Sequence, residues 1–223
     1  EIPHHGKVVV EQVNAEGTHY IIFNTLFGRR VNDALSRGYA FALGRLLHKD
    51  VDILMNDNGF ALAFTGRTST EKLISAVHSW EFKKIMEVAL RDSEVLRRRF
   101  RHCATRALMI LRTYRGRTKS VGRQQMSSRL LLSAVMRINE NFCVLREARR
   151  EVTEDLMDIT HAVDIVRAME QGMIATKIVP LESFSPFAFN LIAQGHSDVM
   201  KMEDKIEFLR RMHNNVLAKI YQK

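Results

Sequence analysis

The hydrophobic pattern of the chain changes period once, near Arg67, and that change limits the fold more than any other feature. Upstream of it, residues 7–13 and 18–24 are short runs rich in Val, Ile, Tyr and Phe, separated by a turn signal at residues 14–17. β-Branched and aromatic side chains suit a pleated, half-buried surface, so the pair reads as a β-hairpin. Residues 51–55 and 60–65 repeat the pattern around Asn56, Asp57, Asn58 and Gly59, where Asn and Gly tolerate the positive φ angles of a tight turn. Between the hairpins, residues 29–48 place Val31, Leu35, Tyr39, Leu43 and Leu46 close to helical period. Residues 1–67 therefore read as a small mixed α/β lobe, expected to form part of a larger β module in a parent protein.

Downstream the period is helical almost throughout, and residues 68–223 read as a helical lobe. Short helices are expected at 70–79 and 82–90. A longer one at 93–115 carries Leu96, Phe100, Cys103, Ala107 and Leu111 on one stripe, with Arg98, Arg101 and Arg112 on roughly the opposite side. Residues 122–139 place Leu130, Leu131, Leu132, Val135, Met136 and Ile138 around most of the helix circumference, which predicts a buried central helix. Further helices are expected at 143–157, 159–171, 186–194 and 203–221, with a strand at 173–179. Ser185 and Pro186 supply an N-cap and a favoured first helical residue. The fold class is α+β: a small N-terminal β-hairpin and helix lobe followed by a mainly α-helical bundle.

Charge is distributed unevenly along this pattern. Residues 91–150 hold sixteen Lys and Arg against four acids, a local excess of +12 in a chain whose total is +9. A basic excess confined to one segment is the footprint of a polyanion site, because each neutralised phosphate releases condensed counterions. Charge alone is equally compatible with a solvated arginine-rich surface. No apolar run approaches the roughly 18 residues that span a bilayer, and no basic start leads into a signal-peptide core, so a cytoplasmic chain without a membrane partner is expected. The two cysteines, Cys103 and Cys143, lack CxxC spacing and are expected in the core. The first residue is Glu1, followed almost at once by a strand pattern, which suggests a chain that begins inside a longer polypeptide.

The motifs of several enzyme classes are missing. A phosphate-binding loop needs glycines before a Lys-Ser/Thr ending, and the nearest stretch, GRTKS at 116–120, lacks that spacing. No HExxH pair accompanies the nine histidines, and His4-His5 stands near the chain start, so no metal site is expected. GxSxG is absent, and acidic pairs such as Glu154 and Asp155 read as solvated helix faces. Trp80 and Phe82 could stack on bases or pack between two short helices, and the burial tendency of aromatic rings favours packing.

The wording of the basic segment, LRRRFRHCATRALMILRTYRGRTKSVGRQQMSSRLLL at 96–132, resembles the DEAD/H-associated region of the large helicase-related (Lhr) proteins. FNTLFGRRVNDALSRGYAFALGR, VLREARREVTEDLMD and SPFAFNLIAQG do so as well, and the wording is closer to archaeal than to bacterial members. The resemblance implies a superfamily 2 helicase that moves 3′ to 5′ along single strands, with two RecA-like motor domains and a winged-helix domain preceding this region. ATP and magnesium would then bind in those motor domains, with no cofactor in this chain, which is not expected to be catalytic alone. Bacterial members commonly carry an aromatic residue before the Gln-Gln pair, whereas Arg123 precedes Gln124 and Gln125 here, so no base-stacking role is carried over to that position.

On this reading Arg98, Arg101, Arg112, Arg115, Arg117, Lys119, Arg123 and Gln124 contact the backbone of single-stranded DNA or RNA. Guanidinium groups make paired, charge-assisted hydrogen bonds to phosphate oxygens, and contacts to uniform phosphates hold a strand without reading its sequence. A second reading makes the chain a structural docking module whose basic face binds the motor domains or an acidic partner protein. A third, a base-excision glycosylase on a helical scaffold, lacks a well-placed catalytic acid.

Overall fold

The computed structural model describes residues 2–15, 17–66, 68–114, 116–197 and 214. The helix expected at 203–221 lies, apart from Asn214, outside them, as does Arg115. The first elements are β1 (Lys7–Ala15), β2 (Thr18–Asn24), α1 (Arg29–Leu47), β3 (Asp52–Asn56), β4 (Gly59–Phe64), α2 (Thr70–Ser75) and α3 (Ser79–Arg91). They are followed by α4 (Glu94–Arg106), β5 (Thr113–Tyr114), β6 (Arg117–Thr118), α5 (Val121–Ile138) and α6 (Cys143–Arg150). A π-helical turn (Glu151–Leu156), α7 (Ile159–Glu170), β7 (Ala175–Leu181) and α8 (Pro186–Ser197) complete the order. The result is the expected α+β pattern. By contact the chain forms two compact units: the described residues up to 85 and from 159 onward make one, residues 86–158 the other.

The first unit is built on a five-stranded sheet of order β3-β4-β2-β1-β7. Both expected hairpins form, with Val10 opposite Phe23 and Met55 opposite Phe60. β7 joins β1 in parallel register, Val10 beside Ile178, a pairing that needs a long crossover and so cannot be foreseen from neighbouring sequence. Pro180 is tolerated because β7 is an edge strand. Alternation sends Phe23 and Phe60 to one face, where their rings stack at 4.5 Å and Tyr39 of α1 lies 4.9 Å from Phe23. Val13, Tyr20, Ile22, Ala61 and Ala63 point to the other face and pack under Ala188, Leu191 and Ile192 of α8.

Two details of this unit depart from the sequence expectation. No residue of the turn at 56–59 has a positive φ; Gly59 is required because a Cβ there would lie 2.3 Å from the carbonyl oxygen of Phe23. Leu46, expected on the buried stripe of α1, is 49% exposed, and the stripe is extended instead by Asn32 and Ser36. The Asn32 side chain earns its burial by donating to the carbonyl oxygens of Asn56 and Asp57 while accepting from Thr25 Oγ1 at 2.6 Å.

In the second unit α4 packs against α5, α6 and the π-helical turn. Leu96, Phe100 and Cys103 of the expected stripe are buried and Ala104 joins them, whereas Ala107 is the exposed C-cap. The helix nevertheless stops at Arg106 rather than Arg115. Leu108 N–H donates to the Thr105 carbonyl and Met109 N–H to the Ala104 carbonyl, with Leu108 at φ 57°, which is a Schellman ending. Ile110 then turns inward and is buried, so Leu111 and Arg112 lie off the helix and exposed. α5 is not the buried central helix: only Ser128, Leu132 and Val135 are buried, while Met126, Leu130 and Ile138 are exposed. Its apolar residues encircle the helix, but α4 covers a single stripe. Cys103 is buried as expected, whereas Cys143, at the start of α6, is exposed. Among the described residues no helix is long and apolar enough to cross a membrane.

Candidate nucleic-acid interface

The start of α4 is fixed by Ser93, whose Oγ accepts from Leu96 N–H at 3.2 Å. With the buried stripe inward, Arg98 is exposed and Arg101 half-buried. Arg97 and Arg101 line a small cleft of about 50 Å³ with Gln125, Ser128, Arg129 and Leu132 of α5, and Glu94 at its rim. His102 sits on the exposed side of the same helix. Partial burial first, and then the charges of Arg101, Arg99, Arg98 and Arg112, hold its imidazole below the usual histidine range. Three of the expected residues, Arg98, Arg101 and Arg112, thus lie near enough to His102 to act on it.

Beyond the Schellman turn the chain forms a two-stranded antiparallel ribbon, Thr113 opposite Thr118 and Tyr114 opposite Arg117. Lys119 N–H donates to the Arg112 carbonyl at 2.8 Å, extending the pairing so that Arg112 and Lys119 stand across from one another. Gln124, half-buried in the first turn of α5, donates its amide to the Lys119 carbonyl at 2.9 Å. It therefore ties the ribbon to the helix. Arg123 is exposed at the start of α5, and the position of Arg115 lies outside the described residues. The stretch 116–120 runs along β6 into α5, and Gly116 is its only glycine, so it offers no phosphate-binding loop.

Carboxylates divide the basic segment into two populations. Arg91 pairs with Glu140 at 2.8 Å, Arg97 with Glu94 at 3.7 Å, and Arg150 with Glu147 at 2.8 Å. Glu151, buried in the π-helical turn, pairs with both Arg99 and Arg106. Burial acts to raise the Glu151 carboxyl, but the hydrogen bond and charge of Arg106 and the charge of Arg99 outweigh it and hold it below the usual range. Among the described residues, Arg98, Arg101, Arg112, Arg117, Lys119 and Arg123 have no carboxylate partner, and neither have Arg129, Arg137, Arg146 and Arg149. Arg129 and Gln125 were missed as site residues because they lie on a helix read as buried. Among the described residues no group of His, Cys, Asp and Glu could hold a metal ion.

A model of the DEAD/H associated family matches residues 2–188. The chain belongs to this family. It is 44% identical over 220 residues to the ATP-dependent helicase Lhr-Core of Methanothermobacter thermautotrophicus, a match covering 98% of this chain and 26% of that protein. The Lhr helicase/uracil glycosylase of Escherichia coli is 27% identical over 210 residues, 91% of this chain and 13% of that one, so the archaeal relative stands nearer. The chain thus spans about a quarter or less of the length of these curated relatives. Its fold is similar to a region of the Mycobacterium smegmatis helicase Lhr, solved bound to ssDNA and AMP-PNP. That likeness has a TM-score of 0.77 at 24% identity, over 85% of this chain and 24% of that one.

Proposed function

We propose that this chain is an accessory domain of an ATP-dependent helicase that holds the tracking single strand by its phosphates. The carrying observation is the group of cations on α4, the ribbon and the start of α5 that lack carboxylate partners, with Arg98, Arg101 and Arg112 all acting on His102. Uncompensated guanidinium groups in one field favour a polyanion, and contacts to phosphate register a strand irrespective of sequence. The solved relative is described as bound to ssDNA, which supports the same reading. The protein so formed would be cytoplasmic, with RecA-like and winged-helix domains beside this one, moving 3′ to 5′. ATP and magnesium would act in the motor. Gln124 also positions the ribbon.

The test is fluorescence anisotropy with a labelled single-stranded oligonucleotide. The triple variant R98A/R112A/R117A is expected to bind more than about tenfold more weakly than the parent chain, because charge-assisted hydrogen bonds are the strong ones. Equal affinity would overturn the assignment. The exposed Met126, Leu130 and Ile138 of α5 favour a second reading, a module that docks on a partner protein. That reading predicts that the triple variant still docks while M126S/L130S does not.

A further inference from the structure

Phosphate contacts by arginine leave the sole tryptophan of the chain without a role. Trp80 is the second residue of α3 and is 75% exposed, whereas Phe82, two residues on, is fully buried. The pair expected to act or pack together is therefore split by the helix, one ring inward and one outward. Phe82 lies directly on the backbone of α1: a Cβ added to Gly38 would come 2.5 Å from its ring. Close ring-to-backbone packing leaves this end of α3 little freedom to shift.

A second clamp acts at the same place. Glu170, the last residue of α7, accepts from Ser79 N–H at 3.2 Å and from Ser79 Oγ at 2.5 Å, and lies 3.0 Å from His78 Nδ1. The first turn of α3 is thus capped by a carboxylate from another helix. His78, held by this carboxylate, stacks on Trp80 with ring centroids 5.9 Å apart and planes 19° from parallel. The indole is held from one side and left open over most of its surface. A freely moving tryptophan would lose rotamer freedom on binding a ligand, and here that cost is already met by the fold.

The surroundings indicate what the indole would meet. Lys83 and Lys84, three and four residues on, are exposed one helical turn away on the same side. A tryptophan that anchors a protein partner is expected within an apolar patch. The residues nearest Trp80 along its helix side are instead a histidine and two lysines. An aromatic plane beside paired cations matches the two parts of a nucleotide in a single strand, a base with its π-face and a phosphate with its charge.

We propose that Trp80, backed by His78 and flanked by Lys83 and Lys84, is a stacking platform for one unpaired base, with the lysines on the adjoining phosphates. The inference rests on the reading that the chain holds a single strand, and adds a base contact to a set that touches only phosphate. Stacking of this kind is tolerant of sequence, so it fits a strand that must move through.

Because Trp80 is the only tryptophan, the intrinsic emission of the full chain reports on this position alone. Titration with unlabelled oligothymidylate is expected to quench that emission, with the midpoint found by anisotropy of a labelled copy. W80A is expected to bind roughly 5- to 150-fold more weakly, and W80F to retain most of the affinity. Circular dichroism of W80A should match the parent, since the ring is exposed. Binding by anisotropy with unchanged emission and an unaffected W80A would overturn the stacking platform and leave the strand reading standing. No binding by anisotropy would overturn the strand reading, and the platform with it. A W80A chain that holds the strand normally but no longer docks on a protein partner would assign the ring to an interface and overturn the proposal.

Discussion

Glu151 shows how a single buried acid sorts the arginines around it. The carboxylate is 6% exposed and faces Arg99 and Arg106, while Cys103 Sγ accepts from Arg106 at 3.2 Å. A buried charge must be paired, so these two arginines hold α4 to the π-helical turn and their charge is already matched. The Glu151 carboxyl is held below its ordinary value in the folded chain. Its contribution to stability is therefore present above the unfolded value and is lost as pH falls through the lowered folded value. Glu151→Gln is expected to lose about 2 kcal/mol at pH 7, less than for a fully buried pair because Arg106 remains largely exposed. Urea denaturation at pH 7 and at pH 3 checks this: the gap between parent and variant should narrow on acidification, and an unchanged gap would refute the pairing. Sequence could not reveal this division, since Arg99 and Arg98 are neighbours of identical type with opposite surroundings.

At the scale of elements, legibility followed the strength of the periodic signal. β1, β2, α1 and α7 were legible because their apolar spacing matched one period and their ends carried turn residues. α4 was read nine residues too long, to Arg115 rather than Arg106, because its stop carries neither glycine nor proline. Leu108 takes the left-handed position usually given to glycine, where its Cβ costs about 1 kcal/mol or more. Leu108→Gly is expected to raise stability by about 1 kcal/mol in a denaturant titration, since the side chain is 74% exposed and little packing is lost. Destabilisation would show that Leu108 makes a contact worth more than its strain. The break matters for the site, because it releases Arg112 from the helix and starts the ribbon that carries Arg117 and Lys119. The late strand β7 was legible as a strand, but its pairing with β1 was not, since parallel partners are joined through a distant crossover. The π-helical turn replaced the end of a helix expected to run to Met157, and nothing in the local periodicity marks the residue at which the register loosens.

At the scale of the molecule, charge located the basic segment and wording located the family, and neither could choose among the arginines. The segment contributes its excess within one compact unit, residues 86–158, while Trp80 and its lysines belong to the other. The central claim is that unpartnered cations around α4 and the ribbon bind phosphates, and the most direct test is the salt dependence of single-strand affinity. Neutralising about four phosphates predicts a log–log slope of about −3, so that doubling the salt weakens binding roughly eightfold. R98A/R112A/R117A should make that slope shallower by about 2. An affinity indifferent to salt, or a slope unchanged in the triple variant, would contradict the account.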